Sequence, residues 1–315
     1  MKRKLFSVLP FIVILSALFL AACSQGNEEE SGQEKESNTE AETRTYASEE
    51  GDVEVPANPE RVAVMAGYTG NFLELGVTPV AITDWAANSK FLADQLKDSK
   101  VVAPDDYETM LGLEPDLIIT YTGDENLAKY KEIAPTVSLS YEKYNYIDQH
   151  LEIGKILGKE EEAQKWVDDW NAKAEEEKKK VQAVIGTDAT ATVVETFGKD
   201  TYIYGKNWGR GTEVIYQALG IKAPEKVETE AFGPGYKAVS AEAIPEYAGD
   251  YIFVGEGANV SSSSFTETDL WKNIPAVKAG NVITFDSDSF YFNDPISLEK
   301  ELEFIVDALT KKAAQ

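Results

Sequence analysis

Short apolar segments alternate with helical ones in two runs, and one long charged helix separates the runs. This pattern restricts the chain more than any other feature. In the first run, residues 61–65, 79–82, 101–102, 116–120 and 136–139 are strand-like, with helical stretches at 68–75, 91–96 and 107–113 between them. In the second, 191–196, 250–254 and 282–285 are strand-like; helices are read over 212–218, from Ser240 to Ile244, and over 296–311. Brief, fully apolar strands alternating with helices predict βαβ units around parallel sheets buried on both faces. Between the runs, helical periodicity covers 147–157, stops at Gly158 and resumes over 160–184. At ~1.5 Å per residue the second of these helices would be about 37 Å long. Its apolar stripe is thin (Ala163, Val167, Trp170, Ala174 and Val181), which suits a strut between two lobes. The predicted fold class is therefore α/β. Two lobes, each with a central, mostly parallel sheet and flanking helices, are joined by one long rigid helix, with a ligand cleft between them.

The N-terminus sets the compartment. Lys2, Arg3 and Lys4 precede an apolar run from Leu5 to Leu20. That run falls short of the ~20 residues that span a bilayer, and with small residues after it reads as a secretory signal. Leu20-Ala21-Ala22-Cys23 resembles the bacterial lipobox, which makes Cys23 the expected lipidation site and residues 1–22 the signal peptide. The following segment, 23–52, is polar and acidic and is expected to be a disordered tether. The N-terminal lobe is then assigned to 53–146, the helical segment to 147–185 and the C-terminal lobe to 186–315. The lipid on Cys23 would hold the chain at the outer face of the cytoplasmic membrane as its only membrane attachment.

Composition removes several function classes. Cys23 is the only cysteine and His150 the only histidine of the 315 residues, so a disulfide framework, a Cys-rich metal site and a His-based zinc site are all excluded. A Ser-His-Asp triad would have to use His150. The formal net charge of −25, or −28 once Lys2, Arg3 and Lys4 are removed, opposes nucleic acid and anionic membrane surfaces. Phosphate-binding glycine motifs, the G-x-S-x-G elbow and H-E-x-x-H are missing from the sequence. Carboxylates are plentiful enough that a glycosidase pair is not removed by counting, though a solvated acidic surface accounts for them.

The segment Tyr202-Ile203-Tyr204-Gly205-Lys206-Asn207-Trp208-Gly209-Arg210-Gly211 concentrates aromatic, cationic and glycine residues. It is read as a loop, with Thr212 capping the helix that follows. Tyr204, Trp208 and Arg210 offer apolar area beside a fixed fork of donors, which suits an organic ligand rich in oxygen acceptors. A second cluster, Phe290-Tyr291-Phe292, follows the last strand. Alternation there sends part of the run inward and leaves Tyr291 as the residue to face the ligand. Tyr68, Trp85 and Tyr121 follow strands of the first lobe and could face the same space.

Taken together, the lipobox, the acidic tether, "PANPERVAVM", "LELGVTPVAI", "LEPDLIITY", "KYKEIAPTV", the long central helix and "WGRGTEVIYQALG" resemble the iron-siderophore-binding lipoproteins of ABC importers. The nearest resemblance is to the iron-hydroxamate (FhuD-like) group. It covers nearly the whole chain after Cys23. "PERVAV" and "PDLII" are shared by the wider superfamily; "NWGRG" and "FYFNDP" are narrower. The resemblance implies two lobes bridged by one helix, with a shallow cleft and little hinge motion. It implies that Arg210 donates to hydroxamate oxygens around Fe(III), that Trp208 packs on the siderophore backbone, and that Tyr204 and Tyr291 complete the cleft. Related hydroxamate binders often carry Trp where this chain has Phe290, Tyr291 and Phe292. No side chain need touch the metal, and no cofactor is expected: the ligand is the Fe(III)-siderophore itself. The resemblance further implies docking on an ABC permease, coupled to its ATPase, through Glu108 and Glu242, one glutamate per lobe facing arginine pockets. The carrier is expected to be a monomer and not an enzyme.

Charge narrows the ligand. The chain has four arginines, Arg3, Arg44, Arg61 and Arg210, and only Arg210, with Lys206 nearby, falls in a candidate site. One cation suits a neutral or weakly cationic ferric trihydroxamate of the ferrichrome or ferrioxamine type better than a polyanionic catecholate or citrate. Another iron chelate, haem or cobalamin stays open as an alternative ligand, and a secreted hydrolase as an alternative class.

Overall fold

The structure is a computed structural model describing residues 42–257 and 260–312. The signal peptide, Cys23 and most of the tether lie outside these residues.

Among the described residues, twelve strands form three sheets. Strands β1 (Thr43–Ser48) and β2 (Gly51–Pro56) make an antiparallel hairpin in which Tyr46 faces Val53 and Arg44 faces Val55. This corrects the expected tether, which ran to residue 52. Tyr46 and Val55 are buried in the first lobe's core, and Tyr46 Oη donates to Glu152 Oε1 at 2.6 Å. Two anchoring side chains within a polar stretch order the segment from residue 43 onward.

The first lobe holds β3 (Val62–Val64), β4 (Ala81–Ile82), β5 (Lys100–Val101), β6 (Leu117–Tyr121) and β7 (Thr136–Leu139). All are parallel, in the order β5-β4-β3-β6-β7. The second lobe holds β8 (Ala191–Phe197), β9 (Asp200–Tyr204), β10 (Tyr236–Val239), β11 (Tyr251–Glu256) and β12 (Val282–Asp286), ordered β10-β9-β8-β11-β12. There β8, β11 and β12 are parallel, while β9 and β10 are antiparallel additions. The two sheets correspond in order, so β3, β6 and β7 have counterparts in β8, β11 and β12.

Each lobe buries its sheet under helices. The helix Tyr146–Leu157 contributes Ile153 and Ile156 to the first core. The next helix, Glu160–Ile185, has 26 residues and belongs to both lobes. Ala163 sits in the first core, whereas Trp166, Val167, Trp170, Ala174 and Val181 sit in the second. Trp166 and Trp170, one turn apart, stack at 5.5 Å. The C-terminal helix Pro295–Lys312 buries Leu298, Leu302, Ile305 and Leu309 against the same core, a spacing of three and four residues that keeps them on one face.

Three local expectations change. Residues 91–96 form turns, and the helix of that region lies earlier, at Asp84–Asn88, where the Thr83 side chain accepts from Ala86 N. Tyr204 is the last residue of β9 instead of a loop residue. The helical turn Glu213–Ala218 is a π-helix, and the Thr212 side chain does not cap it. Thr212 Oγ1 instead donates to Gly209 O at 2.8 Å, closing the preceding loop on itself.

Candidate functional site

Ligand sites in parallel α/β sheets gather beyond the carboxyl ends of the strands, and the aromatic residues of this chain gather there from both lobes. Gly67 follows β3, Trp85 follows β4 within Asp84–Asn88, and Tyr121 ends β6. From the other side, Phe197 ends β8 and Tyr291 follows β12. Three adjoining cavities of about 550, 280 and 280 Å³ lie between these ends, and Tyr291 lines all three.

Arg210 is the centre of the cleft. Its backbone has φ of +60°, between Gly209 at +67° and Gly211 at +75°. A left-handed arginine is sterically costly, and the loop holds it there because Arg210 N donates to Phe290 O at 2.5 Å. Glycine is required at 209 for a second reason: a Cβ there would lie 2.4 Å from Tyr291 O. The turn thereby presents the guanidinium between two rings, 4.7 Å from the Tyr204 centroid and 4.6 Å from that of Tyr291. Nε donates to Glu195 Oε2 at 3.2 Å and Nη1 to Trp208 O at 3.1 Å. Nη2 has no hydrogen-bond partner among the described residues, and Arg210 lines two of the cavities. A clamped cation with one free fork arm can donate to an oxygen-rich ligand at little further entropic cost.

Trp208 forms the adjoining wall. Its ring packs against Tyr236 at 5.1 Å and Tyr141 at 5.6 Å. Gly235 lies so close that a Cβ there would approach the indole to 2.3 Å. Opposite, Trp85 is exposed and stands beside Phe197 at 6.2 Å. Tyr121 lines the 550 Å³ cavity and one of the 280 Å³ cavities, and its hydroxyl accepts from Gly67 N at 2.7 Å. Burial raises its phenol far above the usual range, so it stays neutral.

Not every residue singled out in the sequence meets here. Tyr68 is 1% exposed and belongs to the core of the first lobe, with its hydroxyl 3.3 Å from Leu139 O. It follows β3 closely, but its side chain turns beneath the sheet end. Tyr204 lies under Arg210 more than it faces the gap, being 4% exposed. Lys206 is exposed, with its ammonium over the Phe232 ring, and lines none of the three cavities. Phe290 and Phe292 are buried on either side of Tyr291, and Phe292 also floors two cavities.

Sequence reasoning missed Tyr141, Phe197 and Tyr236 in the walls, and the polar groups beneath them. Tyr236 lies on β10, a strand that the pattern did not reveal, with its ring 5.6 Å from that of Tyr202 on β9. Glu213 is fully buried; its Oε1 accepts from Gly209 N at 3.0 Å and from Asn293 Nδ2 at 3.1 Å, bracing the arginine loop against the last cluster. Burial pushes its carboxyl above the ordinary range, against those hydrogen bonds. His150, which a hydrolytic triad would need, is fully buried with Nδ1 3.1 Å from Asn71 Oδ1. Among the described residues no cluster of His, Cys, Asp and Glu could hold a metal ion.

Glu108 and Glu242 stand outside the cleft. Both are exposed, each in the first turn of a short helix: Tyr107–Gly112 and the 3-10 turn Ala241–Glu246. Each precedes the start of an equivalent strand, β6 or β11, by nine residues. Backbone and Ser240 hydrogen bonds keep the Glu242 carboxyl below its ordinary range.

Comparison with known proteins agrees with this architecture. The chain is 39% identical over 307 residues to the iron(3+)-hydroxamate-binding protein FhuD of Bacillus subtilis (strain 168), covering 96% of each chain. It is 36% identical over 323 residues to the iron(3+)-hydroxamate-binding protein YxeB of the same organism, covering 100% of this chain and 99% of the relative. Among solved structures, FhuD2 from Staphylococcus aureus with bound ferrioxamine B superposes with a TM-score of 0.77 at 36% identity, over 81% of this chain and 100% of that one. The model of the periplasmic binding protein family matches residues 62–289. With two matching sheets, one shared helix and a cleft at the strand ends, the chain belongs to the periplasmic binding protein family.

Proposed function

We propose that this chain is the extracytoplasmic solute-binding component of an ABC importer, and that its cleft carries a ferric hydroxamate siderophore to the permease. It acts as a carrier, not a catalyst. The observation that carries this reading is the Arg210 guanidinium, whose Nη2 has no hydrogen-bond partner among the described residues, held between Tyr204 and Tyr291 with Trp208 and Trp85 as flanking walls. A hydroxamate chelate presents carbonyl and N–O oxygens around the metal and apolar spacers between them. One aimed donor and several aromatic walls match that chemistry. The similarity to two hydroxamate-binding relatives and to a structure holding ferrioxamine B supports the same ligand class.

Delivery requires a docking face. Glu108 and Glu242 are exposed at equivalent places of the two lobes and would pair with arginines of a permease. Lipidation of Cys23 would keep the monomeric carrier on the outer face of the cytoplasmic membrane, beside that permease and its ATPase.

Titration of the chain with ferrichrome and ferrioxamine B, followed by tryptophan fluorescence, tests the ligand. Both should quench at submicromolar concentration. Trp208→Ala and Arg210→Ala should each weaken binding by roughly 1–3 kcal/mol, as truncated anchors do. Preference for a ferric catecholate over both hydroxamates would reject the assignment.

A further inference from the structure

A site that uses one arginine is expected to attract anions, yet the surroundings of Arg210 oppose this. Its Nε is bound to Glu195 Oε2 at 3.2 Å, and the two side chains are 11% and 2% exposed. Glu195 lies on β8 two residues before Phe197, on the same face of the strand, so the sheet itself points its carboxylate at the cleft floor. It is directly opposite Tyr202 of β9. Gly255 of β11 leaves room for this side chain: a Cβ there would come within 3.2 Å of Glu195 Cγ. Among residues lining the three cavities, Arg210 is the only Lys or Arg, whereas Asp84, Asp124 and Glu125 line the largest.

We infer that Glu195 is a specificity-determining residue: by pairing with Arg210 it cancels the cleft's one positive charge, so the site rejects anionic ferric chelates and admits neutral or cationic ones. This deepens the siderophore reading and rests on it. Arg210 keeps its directional donor, because the pair uses Nε and leaves Nη2 free, but it loses its long-range field. A polar, oxygen-rich and uncharged ligand gains the hydrogen bond without meeting a repulsive potential. A trianion meets a neutral pair and an acidic rim. Electrostatic discrimination of this kind acts on specificity more than on affinity.

The test measures a ratio. The full chain is titrated by tryptophan quenching with ferrichrome (neutral), ferrioxamine B (cationic) and a ferric tris-catecholate (trianionic). In Glu195→Gln the ratio of catecholate Kd to ferrichrome Kd should fall by about tenfold or more, the size of a unit charge acting on a trianion across ~10 Å of partly aqueous cleft. Glu195→Asp, which keeps the charge, should hold the ratio near the wild-type value. A purely structural role would weaken all three chelates together in both variants, and that result would overturn the inference. If Glu195→Gln fails to fold, the wild-type chain carries the test. Raising salt from about 20 to about 500 mM should narrow the same ratio by screening, and a ratio indifferent to salt overturns the inference. A wild-type chain that binds none of the chelates overturns the siderophore reading and this inference together. A chain that binds ferrichrome but keeps its ratio in Glu195→Gln overturns this inference alone.

Discussion

Trp85 of the first lobe stacks on Tyr291 of the second, with ring centroids 4.6 Å apart and planes 25° from parallel. The Arg210 guanidinium also lies over the Tyr291 ring, 4.6 Å from its centroid, so one phenol contacts both the indole and the cation. Tyr291→Ala should remove both contacts. Each is worth about 0.5–1.5 kcal/mol when well packed. Quenching titration with ferrichrome should show affinity reduced by about tenfold or more. Tyr291→Phe, which keeps the ring, should stay within about threefold of wild type. Equal loss in both variants would show that the hydroxyl, and not the stacked ring, matters.

Gly235 is the backing of the Trp208 wall. A methyl there meets the indole at 2.3 Å, and the backbone has φ of +89°. Gly235→Ala should therefore displace Trp208 and cost about 1–2 kcal/mol of backbone strain besides. The expected outcome is a folded chain with shifted tryptophan emission and weakened ferrichrome binding. Unchanged emission and affinity together would contradict the packing described.

His150 is buried beside Asn71, its hydrogen-bond partner, and burial lowers its pKa to about 4. The folded pKa lies below the unfolded value, so the neutral ring's contribution is complete above about pH 6.5. It is lost as pH falls toward 4, amounting to about 3 kcal/mol for a shift of this size. As the only histidine in the sequence, it gives a single imidazole signal by NMR. That signal should titrate near pH 4, and the urea midpoint of wild type should fall faster than that of His150→Gln between pH 6.5 and 4. An ordinary titration near pH 6.5 would refute the buried environment.

Glu108 and Glu242 are exposed and touch none of the three cavities. The double variant Glu108→Ala with Glu242→Ala should bind ferrichrome as wild type does but lose most siderophore-dependent iron uptake in cells. Lost binding in the purified double variant would remove the docking role.

The alternation of short apolar strands with helices made both parallel cores legible, because segments such as Leu117–Tyr121 and Tyr251–Glu256 are mostly apolar and buried on both faces. Strands β9 and β10 were not legible. Their wet face carries Tyr202 and Tyr236 for the cleft, so the sequence there reads as an aromatic loop. The hairpin β1–β2 was hidden for a similar reason: a few buried side chains, Tyr46 and Val55 among them, sit among polar neighbours. Trp208, Arg210 and Tyr291 were recoverable from the glycine-flanked and aromatic clusters. Glu195 was not, since a glutamate in an apolar strand gives no sign of its partner fifteen residues later.

The helix Glu160–Ile185 plants Ala163 in one core and Trp166 and Trp170 in the other. Swinging one half of the molecule away from the other would pull this helix from one of its two cores and expose the apolar surface packed there, at roughly 25 cal/mol for each Å². A cargo therefore meets a receptacle that is already assembled, and arrival should be limited by diffusion and fit instead of by a closing motion. If the chain docks on a permease as proposed, unloading would fall to that partner, prising at the two rims from outside.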